Sequence, residues 1–127
     1  MAPAISKLFL LLGSVNAMLA VMLGAFAAHG LKRTLPVELL GVFQTAVQYH
    51  FYHALGLLAV GLIATQLTGS GWIKLSGWLM FAGIVLFSGS LYLLAISGMR
   101  WLGMITPVGG VCFILAWASL AVSIIKN

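Results

Sequence analysis

His50 and His53 stand three residues apart inside the one dense polar and aromatic run of the chain, Gln44-Thr45-Ala46-Val47-Gln48-Tyr49-His50-Phe51-Tyr52-His53. At about 100° per residue their imidazoles share one helical face. Histidines so spaced can hold a metal. A zinc site would need three or four ligands, here His29, His50 and His53 with Glu38 or Tyr49. A haem would need axial ligands on different helices, His29 against His50 or His53. A quinone site could set a histidine donor beside Tyr49 or Tyr52. The plainer chemistry is structural, because histidine and tyrosine join an apolar body to a polar tip and tie loops or neighbouring helices by hydrogen bonds. Asn16 reads in the same way, as helix glue first and as a step for an ion or proton second.

The rest of the chain narrows this chemistry. Glu38 is its only acid, so paired-carboxylate catalysis is excluded within it. One cysteine, Cys112, cannot close an intrachain disulfide, and it lies in an apolar run. No catalytic triad signature, phosphate loop or His-Glu-x-x-His motif is present. The net charge of +5 comes from six scattered basic residues, Lys7, Lys32, Arg33, Lys74, Arg100 and Lys126. Scattered basics between apolar runs are juxtamembrane, and without a basic stripe no nucleic-acid partner is expected.

The elements that must position these groups follow from solvent. Of 127 residues, 63 % are hydrophobic and 6 % charged, with a mean hydropathy of +1.20. A soluble domain carries roughly a quarter charged residues, so this chain has lipid as its principal environment. Four apolar segments are long enough to cross it: about 5–28, 47–67, 73–97 and 104–125. The small-residue stretch Ala25-Phe26-Ala27 imitates a signal-peptidase site, but the apolar run from Leu8 exceeds the roughly 7–15 residues of a signal core, so an uncleaved helix is expected. Pro36 is read as the first turn of a helix capped near Thr34 or Leu35, with Glu38 in its opening turn. Continued to Gln66, that helix would outrun the hydrocarbon, so its first part, residues 36–46, is expected as an interfacial helical segment that lies in the interface or stands above it, with Gly41 as a bend. Thr106-Pro107 reads as a cap followed by a first-turn proline, or as a kink near the helix start.

The expected fold is therefore all-α, an integral membrane antiparallel four-helix bundle in one domain; no alternating ten-residue pattern suggests a barrel. Small residues mark helix packing: Ala20, Gly24 and Ala28 on the first span, Gly89 on the third, Gly109 and Gly110 on the fourth. Even-numbered spans put both termini on one side with Lys7, Lys74 and Lys126, against Lys32, Arg33 and Arg100 on the other. Three against three leaves orientation open. Connectivity also gathers His29, Gln44, Gln48, Tyr49, His50, His53, Arg100 and Thr106 at one membrane face, which makes that face the candidate site.

The segments Gly24-Ala25-Phe26-Ala27-Ala28-His29-Gly30-Leu31-Lys32, Phe43 through Leu55, Phe87-Ser88-Gly89-Ser90-Leu91-Tyr92-Leu93-Leu94 and Ile105-Thr106-Pro107-Val108-Gly109-Gly110 occur in order along nearly the full length. Together they resemble the YgdD-like, or transmembrane protein 256-like, family of small four-span proteins, mostly of the bacterial inner membrane. That resemblance implies the fold and a bacterial cell-membrane location, and it implies no activity or cofactor. Ala27 departs from a glycine common in the first motif. At position 50 the family often carries glutamine or another polar residue, whereas His53 fits, so the resemblance favours His29 and His53 as the pair to test.

Three functions follow as expectations. The first is a non-enzymatic structural or accessory subunit, packing against itself or other subunits in lipid. The second is binding or transport of a small molecule, quinone, lipid or proton at the His29/His53 face. The third is metal or haem binding.

Overall fold

The computed structural model describes residues 3–126, and every regular element in it is helical. Helix α1 (Ala4–His29) ends at Gly30 and passes through a 3₁₀ turn, Leu31–Arg33. Helix α2 runs Val37–Ala64. The third apolar segment is built of α3 (Gly71–Gly83), a π-helical turn (Ile84–Ser88) and α4 (Gly89–Ser97). A 3₁₀ turn, Arg100–Met104, leads into α5 (Thr106–Ile125). Four helical stretches, Ala4–Arg33, Val37–Ala64, Gly71–Ser97 and Arg100–Ile125, are long and apolar enough to cross a membrane. Short connections make their directions alternate, which gives an antiparallel bundle.

Local chemistry sets the ends. Ser70 caps α3 by accepting the Ile73 amide at 3.4 Å. Gly98 ends α4 in the left-handed region at φ 74°, where its N–H reaches Leu94 O at 2.8 Å, a conformation a side chain would strain. Two caps differ from expectation. Pro36 occupies the position before α2 rather than its first turn, and no side chain caps that helix. Ile105 stands at the start of α5, while Thr106 Oγ1 turns to Ser90 Oγ at 2.6 Å. The segment expected at 36–46 is helical from Val37 and continuous with the span that follows, in one helix of 28 residues unbroken at Gly41. At 1.5 Å per residue this helix is about 42 Å long, so its first turns project beyond roughly 30 Å of hydrocarbon.

Packing begins with α1 on α2. The buried residues Ser6, Phe9, Gly13, Asn16, Ala20 and Ala27 recur at intervals of three, four or seven along α1; Ser6, Gly13 and Asn16 meet α2, whereas Phe9 reaches α3. The other principal pairing is α3 with α5, and α2 also meets the third apolar segment. Three buried serines then bond across helices to backbone carbonyls: Ser6 Oγ to Gly61 O (2.6 Å), Ser76 Oγ to Ala116 O (2.7 Å) and Ser88 Oγ to Ala46 O (2.8 Å). Lipid gives no hydrophobic drive for helices to associate, so such bonds and close packing must supply it.

Glycines set the closest approaches. The Phe9 ring lies over Gly77 and the Phe113 ring over Gly83. At Gly109, α5 touches the backbone of Leu86 and Phe87 in the π turn, leaving no room for a Cβ. Of the other small residues expected at helix contacts, Ala20 is buried and Gly24 lies under Val47. Ala28 is exposed, Gly89 has only its own helix near it, and Gly110 makes ordinary contact with the Phe87 ring. Those three are not close-approach positions, because helical rotation turns them off the shared faces.

Gly109→Ala should therefore destabilise the bundle by about 1–3 kcal/mol, the range for overpacking a tight core. Gly41→Ala, with nothing within 4 Å of a Cβ there, should be neutral or slightly stabilising. Thermal unfolding midpoints in one detergent compare the two directly.

Candidate functional site

Two polar clusters lie inside the bundle, on either side of α2. His50 points one way, between α1 and α4. Its Nε2 is 2.9 Å from Asn16 Oδ1, and its Nδ1 is 2.9 Å from the Tyr92 hydroxyl. Asn16 Nδ2 donates to Leu12 O at 2.8 Å, which turns its carbonyl oxygen toward the imidazole. That oxygen can only accept, so Nε2 carries a hydrogen and Nδ1 accepts from Tyr92. Phe43 packs on the far side of Tyr92, with ring centroids 4.9 Å apart.

His53 points the other way, toward α5. Its Nδ1 donates to Tyr49 O at 2.8 Å, and its Nε2 accepts from Trp117 Nε1 at 3.0 Å. The imidazole stacks on Phe113 at 3.4 Å between centroids and 8° between planes. Tyr49, Phe87 and Trp117 complete an aromatic cage. The cage opens sideways as a recess of about 440 Å³ lined by Tyr49, His53, Phe87, Gly110, Phe113, Ile114 and Trp117. The backbones of α2 and α5 are not among the closely paired helices, so these rings span the space between them.

The two histidines, 60° apart on the wheel, thus do different work. Both have each ring nitrogen engaged. A proton added to His50 Nδ1 would still meet an acceptor, the Tyr92 oxygen. A proton added to His53 Nε2 would face an indole N–H, which can only donate. Neither histidine has a free nitrogen to offer a metal. Among the described residues no three histidine, cysteine, aspartate or glutamate side chains come together. The expected zinc set is therefore not assembled, and His29 does not join His53. His29 is exposed at the end of α1, in a shallow basin of about 400 Å³ with Ala28, Lys32 and Arg33.

The remaining candidates divide cleanly. Thr106 is part of an inter-helix hydroxyl pair with Ser90, and Ser90 also donates to Phe87 O at 2.9 Å. Arg100 is exposed and lines a depression with Glu38. Gln44, Gln48 and Tyr52 are exposed on the outer side of α2, and Tyr49 is partly so. No buried polar side-chain atom among the described residues lacks a partner. Sequence reasoning passed over Trp117 and Phe113, although their spacing of four puts both on one face of α5. It also passed over the three serines, which look like any other small residue in an apolar run.

Comparison with known proteins agrees with this architecture. The family profile described as "Protein of unknown function (DUF423)" matches residues 23–110. The UPF0382 membrane protein YwdK of Bacillus subtilis is 55 % identical over 120 residues, covering 94 % of this chain and 98 % of the relative. The UPF0382 membrane protein SSP2132 of Staphylococcus saprophyticus is 50 % identical over 121 residues, with 94 % and 98 % covered. One from Staphylococcus epidermidis, SERP0230, is 49 % identical over 124 residues, with 94 % and 97 % covered. No solved structure matches significantly.

The hydrogen bonds fix opposite tautomers, which ¹⁵N spectra of histidine-labelled protein read directly. His53 should carry its hydrogen on Nδ1 and His50 on Nε2. Trp117→Phe should shift the His53 Nε2 resonance alone and cost about 1–2 kcal/mol for the bond and the bare acceptor it leaves. An unmoved His53 resonance would refute the assignment.

Proposed function

This chain belongs to the DUF423 family of membrane proteins, and from that premise we propose that it is a non-catalytic structural subunit that associates through the outer face of α2. It is a multi-pass bacterial membrane protein. One observation carries the proposal. Gln44, Gln48 and Tyr52 fall within about 80° on the helical wheel, directly opposite the buried residues of α2. None of the three side chains bonds to another described residue of the chain. An amide left unpaired in hydrocarbon costs several kcal/mol, so the part of this stripe that meets lipid is relieved by a polar partner on another helix.

The surface beside the stripe suits a helix. Ala20, Val21, Gly24, Val47, Gln48, Phe51 and Tyr52 line a groove of about 320 Å³ between α1 and α2. Small residues at its floor allow close backbone approach. Each interhelical amide bond adds about 0.6 kcal/mol on average, so stable association needs the groove and the stripe together. The inward clusters, by contrast, are saturated and serve as braces. A second reading, proton binding, is favoured at His50 over the His29/His53 pair, because both partners of His50 can accept a hydrogen bond.

A photo-crosslinking residue at position 48 tests the proposal in native membranes, with position 114 on the exposed face of α5 as control. Position 48 should give a discrete protein adduct, a dimer or one defined heteromer, and position 114 should not. Gln48→Leu should reduce the yield of an adduct formed from position 52. Equal lipid-only labelling at 48 and 114 would sink the reading.

A further inference from the structure

We infer that the protein holds a zwitterionic phospholipid headgroup, of the phosphoethanolamine kind, between Glu38 and Arg100 at the membrane rim. This site is separate from the α2 face and does not rest on it. Glu38 is the only acid of the chain, in the first turn of α2. Arg100 opens the 3₁₀ turn that joins the third apolar segment to the fourth. Antiparallel alternation brings both to one end of the bundle, where they line a single cavity of about 400 Å³. No basic nitrogen among the described residues lies within 4.0 Å of the Glu38 carboxylate, so the two charges share the cavity without neutralising each other.

The geometry asks for a ligand that is itself an inner salt. A primary ammonium can donate to the Glu38 carboxylate, while a phosphate can take the planar fork of Arg100. The remaining lining is Pro36, Leu39, Val42, Leu94 and Gly98. Leu39, Val42 and Leu94 give an apolar wall suited to the glycerol and the first acyl carbons. Depth favours a lipid over a free metabolite, since the neighbouring Trp101 is exposed as an aromatic anchor of the kind found at headgroup level. An anionic headgroup would satisfy Arg100 and oppose Glu38. A choline headgroup would carry the positive charge but has no N–H to donate.

Native mass spectrometry of the full-length protein, delipidated and then titrated with dioctanoyl lipids, decides this. Phosphatidylethanolamine should be retained about fivefold more tightly than phosphatidylglycerol or phosphatidylcholine, the scale of one rim charge contact. Glu38→Gln should bring it down to the phosphatidylglycerol level. Arg100→Gln should weaken all three lipids. Both positions are exposed, and unchanged thermal midpoints will show that the variants are folded. Equal retention of the three lipids, or an unchanged preference in Glu38→Gln, overturns the site. Free phosphoethanolamine that competes at the same concentration as the lipid overturns its assignment to a lipid.

Discussion

In hydrocarbon, a polar atom has no water to fall back on. Every hydroxyl, amide and imidazole inside this bundle must therefore find its partner within the protein. That constraint organises the structure more than any single apolar contact. Ser6, Ser76 and Ser88 each reach a carbonyl on a neighbouring helix, at 2.6, 2.7 and 2.8 Å. The Ala46 and Ala116 carbonyls lie inside their own helices and so accept a second hydrogen, whereas the amide of Thr65, four residues beyond Gly61, turns to Leu62 O and leaves Gly61 O to the serine. Each bond is worth little alone, yet it holds two helices at one rotation and one depth. Phe9 over Gly77 and Phe113 over Gly83 then fill the space the serines leave. Bonds give register and rings give density.

The same constraint explains why two histidines so close in sequence have unlike roles. Each sits on the buried side of α2, and each would be costly without two partners. His50 obtains them from side chains on two other helices, Asn16 and Tyr92. His53 obtains one from its own helix backbone and one from Trp117. The first arrangement links three helices through groups whose hydrogens can be rearranged. The second clamps α2 to α5 through a donor that cannot reverse.

The fold was legible because its causes are compositional. Four apolar runs with glycine-bearing breaks specify four spans and alternating direction, and lipid permits no open sheet. Connectivity alone assigns His29, His53 and Arg100 to one face. The site within it was less legible. His29 ends α1, whereas His53 lies past the middle of α2, about 24 Å beyond its start, so depth along the bundle separates them; sequence also carries rotation only weakly where both faces of a helix are apolar. Ala28 and Gly89 were misleading for that reason. Pro36 was displaced from the helix by one residue, a shift too small for pattern reading to resolve. Trp117 was missed because an indole in an apolar run resembles packing, and only its donor distance to His53 gives it a polar task.

The π turn at Ile84–Ser88 carries a further consequence. A wider turn spends one more residue than an α-helix needs for the same rise. Everything beyond it is thereby offset in azimuth by about 100° from where α3 alone would have put it. Tyr92 comes after that offset, and Ser76 and Gly77 before it. The third apolar segment can thus present its serine and glycine to one set of neighbours and its phenol to another, like a shaft with a keyed joint. A relative that lost one residue from this stretch would keep its length, hydropathy and four crossings, yet its tyrosine would be aimed away from the imidazole.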